Sequence, residues 1–299
     1  MPTSAKYMPK YPIYVLSKGR SEYRITMKTL DLLGVPYRVA IEPQEYDAYA
    51  AHLRDDQLLV LPFSNHGKGS GPARNYVWEH SIDEGHDRHW VLDDNIHYFA
   101  RFHHNRRNRV ESGAFFRAIE DFVDRYENVA MAGPQYRFFA APQSYYLPVV
   151  LNVRLMSCIL IQNNIPHRWR GRYNEDVDLS IRVLKDNYST MMFFNFLQEK
   201  AETGTIKGGN TEELYGSGTY DKSKMLAMLH PDCVKMVHRY GRDHHLLDTR
   251  HFHHIMPKLK DGIDLSAYPK IDNYGYTYVK KNDDDSVVKI ESKPWGCEK

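Results

Sequence analysis

Short apolar runs alternate with helical segments through the first third of this chain, and that order leaves few folds open. Tyr11 to Leu16 reads as a strand, followed by the loop Ser17-Lys18-Gly19-Arg20. Residues 21–33 read as a helix with Ile25, Leu30, Leu32 and Leu33 at apolar positions, stopped by Gly34-Val35-Pro36. Tyr37 to Ile41 is a second strand, 44–54 a helix, and Leu58 to Leu61 a third strand. A glycine-rich loop, Gly67 to Gly71, leads into a helix over Ala73 to Ser81, and Trp90 to Leu92 forms the fourth strand. Strands spaced by helices in this way predict βαβ units and a largely parallel sheet. Ligands of such sheets sit beyond the carboxyl ends of the strands. Lys18, Arg20, Glu42, the loop at 64–72 and Asp93-Asp94-Asn95 all fall there, so one cleft is expected to collect them.

The remainder is read more coarsely. Residues 113–126 make an amphipathic helix with Phe115, Phe116, Ile119, Phe122 and Val123 on one side. Asn128 to Ala132 is a strand, Leu147 to Val153 and Met156 to Ile161 are expected to pair, Asn174 to Asp186 is a helix, and Met191 to Phe196 a late strand. Gly204 to Gly218 is a glycine-rich loop expected to move, 221–229 is helical, and a His-rich stretch runs from 238 to 254. Beyond it, Tyr274 to Lys281 and Val287 to Glu291 flank Asn282-Asp283-Asp284-Asp285, the pattern of a hairpin. At 299 residues the chain suits one large α/β domain or two small ones. Its 42% hydrophobic and 26% charged residues and net charge of +2 fit an ordinary globular protein, so any polyanion partner must be read from local clusters. Cys158, Cys233 and Cys297 give no disulfide framework or zinc pattern, and no stretch reaches transmembrane length. The expectation is a cytoplasmic protein with no membrane partner.

Two acidic clusters stand out. Asp93-Asp94-Asn95 ends the buried run Trp90-Val91-Leu92, where charge is costly unless paired. A divalent cation would pair it, since hard cations take oxygen ligands; an Asp-Asp-Asn turn is the plainer reading. Glu175-Asp176 opens the helix at 174–186. It reads either as N-terminal capping or as a carboxylate that takes a proton from an acceptor hydroxyl. Lys18, Arg20, Arg74 and Lys207 sit in loops or at helix starts, where phosphate oxygens bind, although solvated surface charge is the default. Lys207-Gly208-Gly209-Asn210 would let backbone amides approach a diphosphate. His244 or His245 reads as a metal ligand or as part of a polar surface. The basic stretches Arg101 to Arg109 and Arg168-Trp169-Arg170-Gly171-Arg172 read as polyanion contacts with Trp169 stacking on a base, or as solvated loops with Trp169 in the core.

Several of these segments, in this order, resemble the TET/JBP-associated glycosyltransferases of the GT-A fold, found largely in phages. They are Tyr11-Pro12-Ile13-Tyr14, Ser17-Lys18-Gly19-Arg20, Leu61-Pro62-Phe63-Ser64-Asn65, Pro72-Ala73-Arg74-Asn75, Arg88 through Ile96, Arg168 through Leu179, and Lys207-Gly208-Gly209-Asn210-Thr211. The likeness runs from about residue 10 to 255. It implies a GT-A-like, Rossmann-type mixed and largely parallel α/β sheet flanked by helices over 1–255, with a C-terminal extension at 256–299. It also implies a transferase that moves a sugar from a nucleoside-diphosphate sugar, UDP-sugar being the expected form. The acceptor would be the hydroxyl of a 5-hydroxymethylpyrimidine in DNA, expected as 5-hydroxymethylcytosine made by a TET-like hydroxylase, and the outcome inverting.

By the same resemblance Asp176, with Glu175, is the base. Ser17, Lys18, Arg20, Glu42, Arg74, Asp93, Asp94, Lys207, Gly208 and Gly209 hold the donor. Asp94, Asn95 and His244 hold Mn²⁺ or Mg²⁺, with Asn95 standing where the family's motif ends in Asp. Arg106, Arg107, Arg109, Trp169, Arg170 and Arg172 are the expected DNA contacts. A host-cell cytoplasm follows if the protein is phage-encoded. The competing readings are a glycosyltransferase acting on a polysaccharide, lipid or protein, and a DNA-binding relative with a dead site.

Overall fold

A computed structural model of the protein describes residues 7–64, 67–103, 105–142, 146–201, 208, 220–239 and 241–264. The chain divides into two compact units, Met1–Leu259 and Lys260–Lys299. The second is described only as far as residue 264, so the hairpin expected at 274–291 lies outside the described residues.

The first unit is built on a ten-stranded sheet, ordered β3-β2-β1-β4-β9-β7-β10-β5-β6, with β8 also paired to β10. The strands are β1 (Ile13–Leu16), β2 (Arg38–Ile41), β3 (Leu58–Val60), β4 (Arg88–Asp93), β5 (Ile96–His103), β6 (Arg106–Arg109), β7 (Val129–Tyr136), β8 (Val149–Leu151), β9 (Cys158–Gln162) and β10 (Ser189–Lys200). Pairing is parallel between β3, β2, β1 and β4 and between β7 and β10. Strands β9, β5 and β8 run against their neighbours, so the sheet is mixed although most strands share one direction. The helices are α1 (Ile25–Leu32), α2 (Tyr46–Ala50), α3 (Gly71–Asp83), α4 (Ala114–Val123), α5 (Glu175–Lys185) and α6 (Tyr220–Leu229). A separate hairpin joins β11 (Val234–Arg239) to β12 (Arg242–Leu247).

The central strands are apolar on both faces, as expected where both faces are covered. Trp90, Val91 and Leu92 of β4 are fully buried. Trp90 meets Phe116 of α4 edge-on at 5.0 Å, and Phe116 meets Phe99 of β5 at 5.4 Å. The polar start of β4 is paired inside: Arg88 donates to Asp124 at 3.1 Å and to the Val129 carbonyl at 2.9 Å. Helix α5 packs two ways. Leu179 and Val183 join the main core, while Val177, Ile181 and Leu184 pack with Leu226, Val234, Phe252 and Ile255. The C-terminal hairpin and α6 are thereby held against the helix that opens with Glu175-Asp176.

Several local expectations change. Leu147–Val153 and Met156–Ile161 do not pair with each other: β8 lies on β10, while β9 is inserted between β4 and β7. A strand as apolar as Cys-Ile-Leu-Ile needs neighbours on both edges, and the centre of the sheet supplies them. The basic stretch 101–109 is the β5–β6 hairpin, with Asn105 in the left-handed region at its tip. The His-rich stretch from 238 contributes the end of β11 and all of β12. The helix expected over 44–54 shrinks to a 3₁₀ turn at Pro43–Glu45 and the short α2.

Candidate functional site

The carboxyl ends of the parallel strands open on one cavity of about 260 Å³. Ser17, Lys18 and Arg20 follow β1, Glu42 follows β2, Arg74 lies in the first turns of α3, and Asp93-Asp94-Asn95 ends β4. From the other side come Tyr136 at the end of β7, Ser157 before β9, Lys200 at the end of β10, Glu175 and Asp176 at the start of α5, and Lys222 of α6.

The β4 cluster is braced from both directions. The hydroxyl of Thr26, at the start of α1, donates to the Asp93 carbonyl at 2.7 Å, and the Thr26 amide donates to the Asp94 carbonyl at 3.2 Å. Asp93 Oδ1 accepts from Arg74 Nη2 at 2.9 Å. Its Oδ2 accepts from Lys200 Nζ at 2.6 Å and from Ser157 Oγ at 2.7 Å. Burial disfavours the Asp93 carboxylate, but Lys200 and Arg74 outweigh it and hold the group well below the usual carboxylate range. Burial likewise disfavours the Lys200 ammonium, and Asp93 reverses that, so Lys200 stays charged. Asp94 pairs with Arg20 through Oδ1 and accepts from Ser17 Oγ at 2.8 Å through Oδ2. There burial wins, and the Asp94 carboxyl is raised despite Arg20.

The α5 cluster is treated differently. Asn174 turns the chain in the left-handed region (φ 49°), and its side chain donates to the Lys222 carbonyl at 2.9 Å. Glu175 accepts from Ser70 and lies 3.3 Å from Arg74 Nε. Asp176, in the first turn of α5, accepts from the Val177 amide at 2.8 Å through one oxygen. Burial and the neighbouring Glu175 push its carboxyl up to about 6, against the pull of Arg74 and Lys222. Arg74 spans both clusters while its guanidinium stacks 4.7 Å from the Trp169 ring. Its Nη1 and the Asn95 Oδ1 are both buried without a hydrogen-bond partner among the described residues.

Lys18, Arg20, Glu42, Asp93, Asp94 and Asn95 are thus gathered as expected from their strand-end positions, and Ser17, Arg74, Glu175 and Asp176 join them. Lys207 and Gly209 lie outside the described residues. Gly208 is described: its carbonyl accepts from Arg20 Nη2 at 3.0 Å. Its φ is +83°, and a Cβ there would stand 2.5 Å from the Gly19 carbonyl oxygen, so only glycine fits this contact.

Other expected residues stand elsewhere. His244 lies on β12 opposite Val237 and does not line the cavity. Trp169 is 3% exposed and packs on Trp78 and Arg74, so a base cannot stack on it and its role is in the core. Arg170 is engaged with the fully buried Asp178, which also takes Arg182 and His230. Arg172 is exposed and lies over Tyr173. Arg106, Arg107 and Arg109 sit on β6 at the sheet edge, where the pleat sends Arg106 to the face opposite Arg107 and Arg109.

The expected cation does not fit these residues as arranged. All four carboxylate oxygens of Asp93 and Asp94 already take an arginine, lysine or serine donor. Among the described residues, no three His, Cys, Asp or Glu side chains converge to hold a metal ion. Lys18, Arg20, Arg74, Lys200 and Lys222 bring positive charge to this cavity.

Tyr136, Ser157, Lys200 and Lys222 are site residues that sequence reasoning missed. Tyr136 OH lies 2.7 Å from Ser157 Oγ, which also accepts from Lys200 Nζ at 2.9 Å. No motif marks Lys200, which ends a twelve-residue strand.

A cavity that sets a carboxylate of raised pKa opposite clustered lysine and arginine has the groups to take up a proton and to hold an anion. The chain belongs to the TET-associated glycosyltransferase family, whose sequence model matches residues 11–209. It is a glycosyltransferase. No curated protein matches it. Among solved structures it is similar to a candidate nucleotide-diphospho-sugar transferase from Desulfovibrio desulfuricans G20, at 11% identity over 75% of this chain and 96% of that one. The TM-score of 0.35 is too low for that likeness to bear on fold or function. No helix among the described residues is long and apolar enough to cross a membrane.

Proposed function

We propose that the protein transfers a sugar from a nucleoside-diphosphate sugar to the hydroxymethyl oxygen of a 5-hydroxymethylpyrimidine, 5-hydroxymethylcytosine foremost, in DNA. The family supports the glycosyl transfer, and its association with TET-type hydroxylation supports the acceptor. One observation carries the mechanism: Asp176, pushed up to about 6, shares a cavity with the Arg20, Arg74 and Lys200 cations.

In this reading the donor diphosphate lies against Lys18, Arg20, Arg74 and Lys200, with the unpartnered Arg74 Nη1 turned to a phosphate oxygen. Asp93 holds Arg74 and Lys200 in place, Asp94 holds Arg20, and Glu42 holds Lys18. Asn95 Oδ1 accepts a hydroxyl of the donor. Asp176 takes the proton of the acceptor hydroxyl as its oxygen bonds to the anomeric carbon. The bond from that carbon to the diphosphate oxygen breaks, and the diphosphate leaves with the electron pair. Attack opposite the leaving group inverts the anomeric centre. The carboxylic acid formed on Asp176 is tolerable because its pKa lies close to neutral.

The test is incubation of hydroxymethylated DNA with UDP-, GDP- and TDP-sugars, read by nucleoside mass spectrometry. A hexose-sized mass gain is expected with at least one donor. Transfer to a carbohydrate or protein acceptor with none to DNA would move the acceptor to another class.

A further inference from the structure

The end of β7 carries a feature that the donor site does not use. Tyr136 lines the cavity, and the next three residues, Arg137–Phe139, form one 3₁₀ turn. Phe138 is 83% exposed and Phe139 52%, and Phe138 is the most exposed of the large hydrophobic side chains described. Scattered apolar side chains on a surface need no explanation. These two are not scattered. The Tyr136 and Phe139 rings lie 6.2 Å apart, and the Phe139 and Phe138 rings 5.3 Å apart at 81°. Three aromatic rings therefore lead from the wall of the cavity out to solvent, over at most about 11 Å of chain.

Arginines surround this turn. Arg107 Nη1 donates to the Arg137 carbonyl at 3.3 Å. Arg109 and Arg137 both lie over the Tyr98 ring, at 5.2 and 5.9 Å. Register on the β5–β6 hairpin puts Arg107 and Arg109 on the face of Phe102 and Ala100, the same face as Tyr98. Glu199 offsets part of this charge through its 3.2 Å pair with Arg137.

We propose that Phe138 and Phe139 are the stacking platform for the acceptor nucleobase, with Arg107 and Arg109 holding the flanking phosphates. The inference rests on the DNA-acceptor reading above. Bases stack on aromatic side chains whatever their sequence, and guanidinium groups beside the rings match the backbone's charge. A base inside a duplex must leave the stack before its substituent can enter an enclosed cavity, and exposed phenyl rings at the cavity rim replace the stacking it loses. Phenyl rings have no polar atom with which to read a base edge. The platform is therefore indifferent to sequence, and recognition of the hydroxymethyl group is left to the cavity. An anionic membrane surface is the other occupant that exposed Phe and Arg could meet, but it offers nothing to place in the cavity alongside.

The experiment uses the full chain and the double variant Phe138→Ala/Phe139→Ala, whose side chains project into solvent. Affinity for a fluorescein-labelled single strand containing 5-hydroxymethylcytosine is read by anisotropy at fixed salt, and UDP binding is read by calorimetry as the control. DNA affinity is expected to fall about 10- to 100-fold, with UDP affinity unchanged and Phe138→Trp at or above wild type. Arg107→Ala and Arg109→Ala should each lower the slope of log affinity against log salt by about 1. Wild type and double variant binding DNA equally would overturn the platform alone. A wild-type protein that neither binds nor modifies DNA would overturn both platform and acceptor reading. Loss of binding to phosphatidylserine vesicles in the double variant, with DNA binding intact, would also overturn it.

Discussion

The carboxylates that end β4 and those that open α5 line the same cavity, yet their surroundings make them different groups. Asp93 gives both oxygens to Lys200, Arg74 and Ser157 and stays ionised throughout the ordinary pH range. Asp176 has one backbone donor among the described residues, and burial and the neighbouring Glu175 push its carboxyl up to about 6. A carboxylate locked into ion pairs positions cations; one left short of partners is free to move a proton. The comparison teaches that acidic spacing alone assigns neither role. Cations arriving from distant strands do.

The strongest way to break this contrast is to remove the proton acceptor. Asp176→Asn is expected to slow sugar transfer by about 10²- to 10⁴-fold with UDP affinity retained, measured by initial rates and calorimetry. A variant that keeps full activity would take the base role away from Asp176.

The β4 side is tested by Lys200→Ala, which leaves Asp93 with Arg74 and Ser157 alone. UDP affinity should fall about tenfold or more, since a charge-assisted contact is lost. The melting temperature should also drop, because breaking a buried pair leaves charge uncompensated. Wild-type affinity in this variant would place the diphosphate elsewhere.

A pH profile sharpens the same contrast. In the proposed mechanism Asp176 works as the deprotonated form, and burial and Glu175 push its carboxyl up to about 6. Transfer should therefore fall about tenfold per unit below pH 6 and level off above it. Asp93 and Lys200 keep their charges across that window. A rate independent of pH from 5 to 8 would contradict the assignment.

The smallest expected effect is that of chelation. With Asp93 and Asp94 oxygens already paired to the chain's own cations, UDP affinity in EDTA should stay within about threefold of its value with Mn²⁺, read by calorimetry. Strict dependence on Mn²⁺ for binding would mean that Lys200 or Arg20 yields its carboxylate to the ion.

Much of the first half of the site was legible because local chemistry determines it. A buried apolar run cannot carry Asp93 and Asp94 except at its end, and Gly34-Val35-Pro36 must stop a helix. Strands alternating with helices bring Ser17, Lys18, Arg20, Glu42, Arg74 and the Asp-Asp-Asn segment to one edge. Helical order likewise put Glu175 and Asp176 in a first turn. Two basic stretches read differently once folded. Trp169 beside three arginines looks like a stacking surface, but Trp78 and Arg74, far away in sequence, close over it. Arg106, Arg107 and Arg109 look like one patch until the pleat of β6 divides them.

By itself, then, the sequence determined the strand–helix alternation, the cleft edge and the two acidic clusters, since burial, helix punctuation and the period of side chains act over a few residues. Only the tertiary structure decided what surrounds those acids. The insertion of β9 between β4 and β7 brings Ser157 to Asp93, and the twelve-residue β10 ends with Lys200 beside them. Those contacts join residues 64 and 107 positions apart. Strand direction and order, which no local pattern encodes, set which cation meets which carboxylate and so which of them keeps its proton.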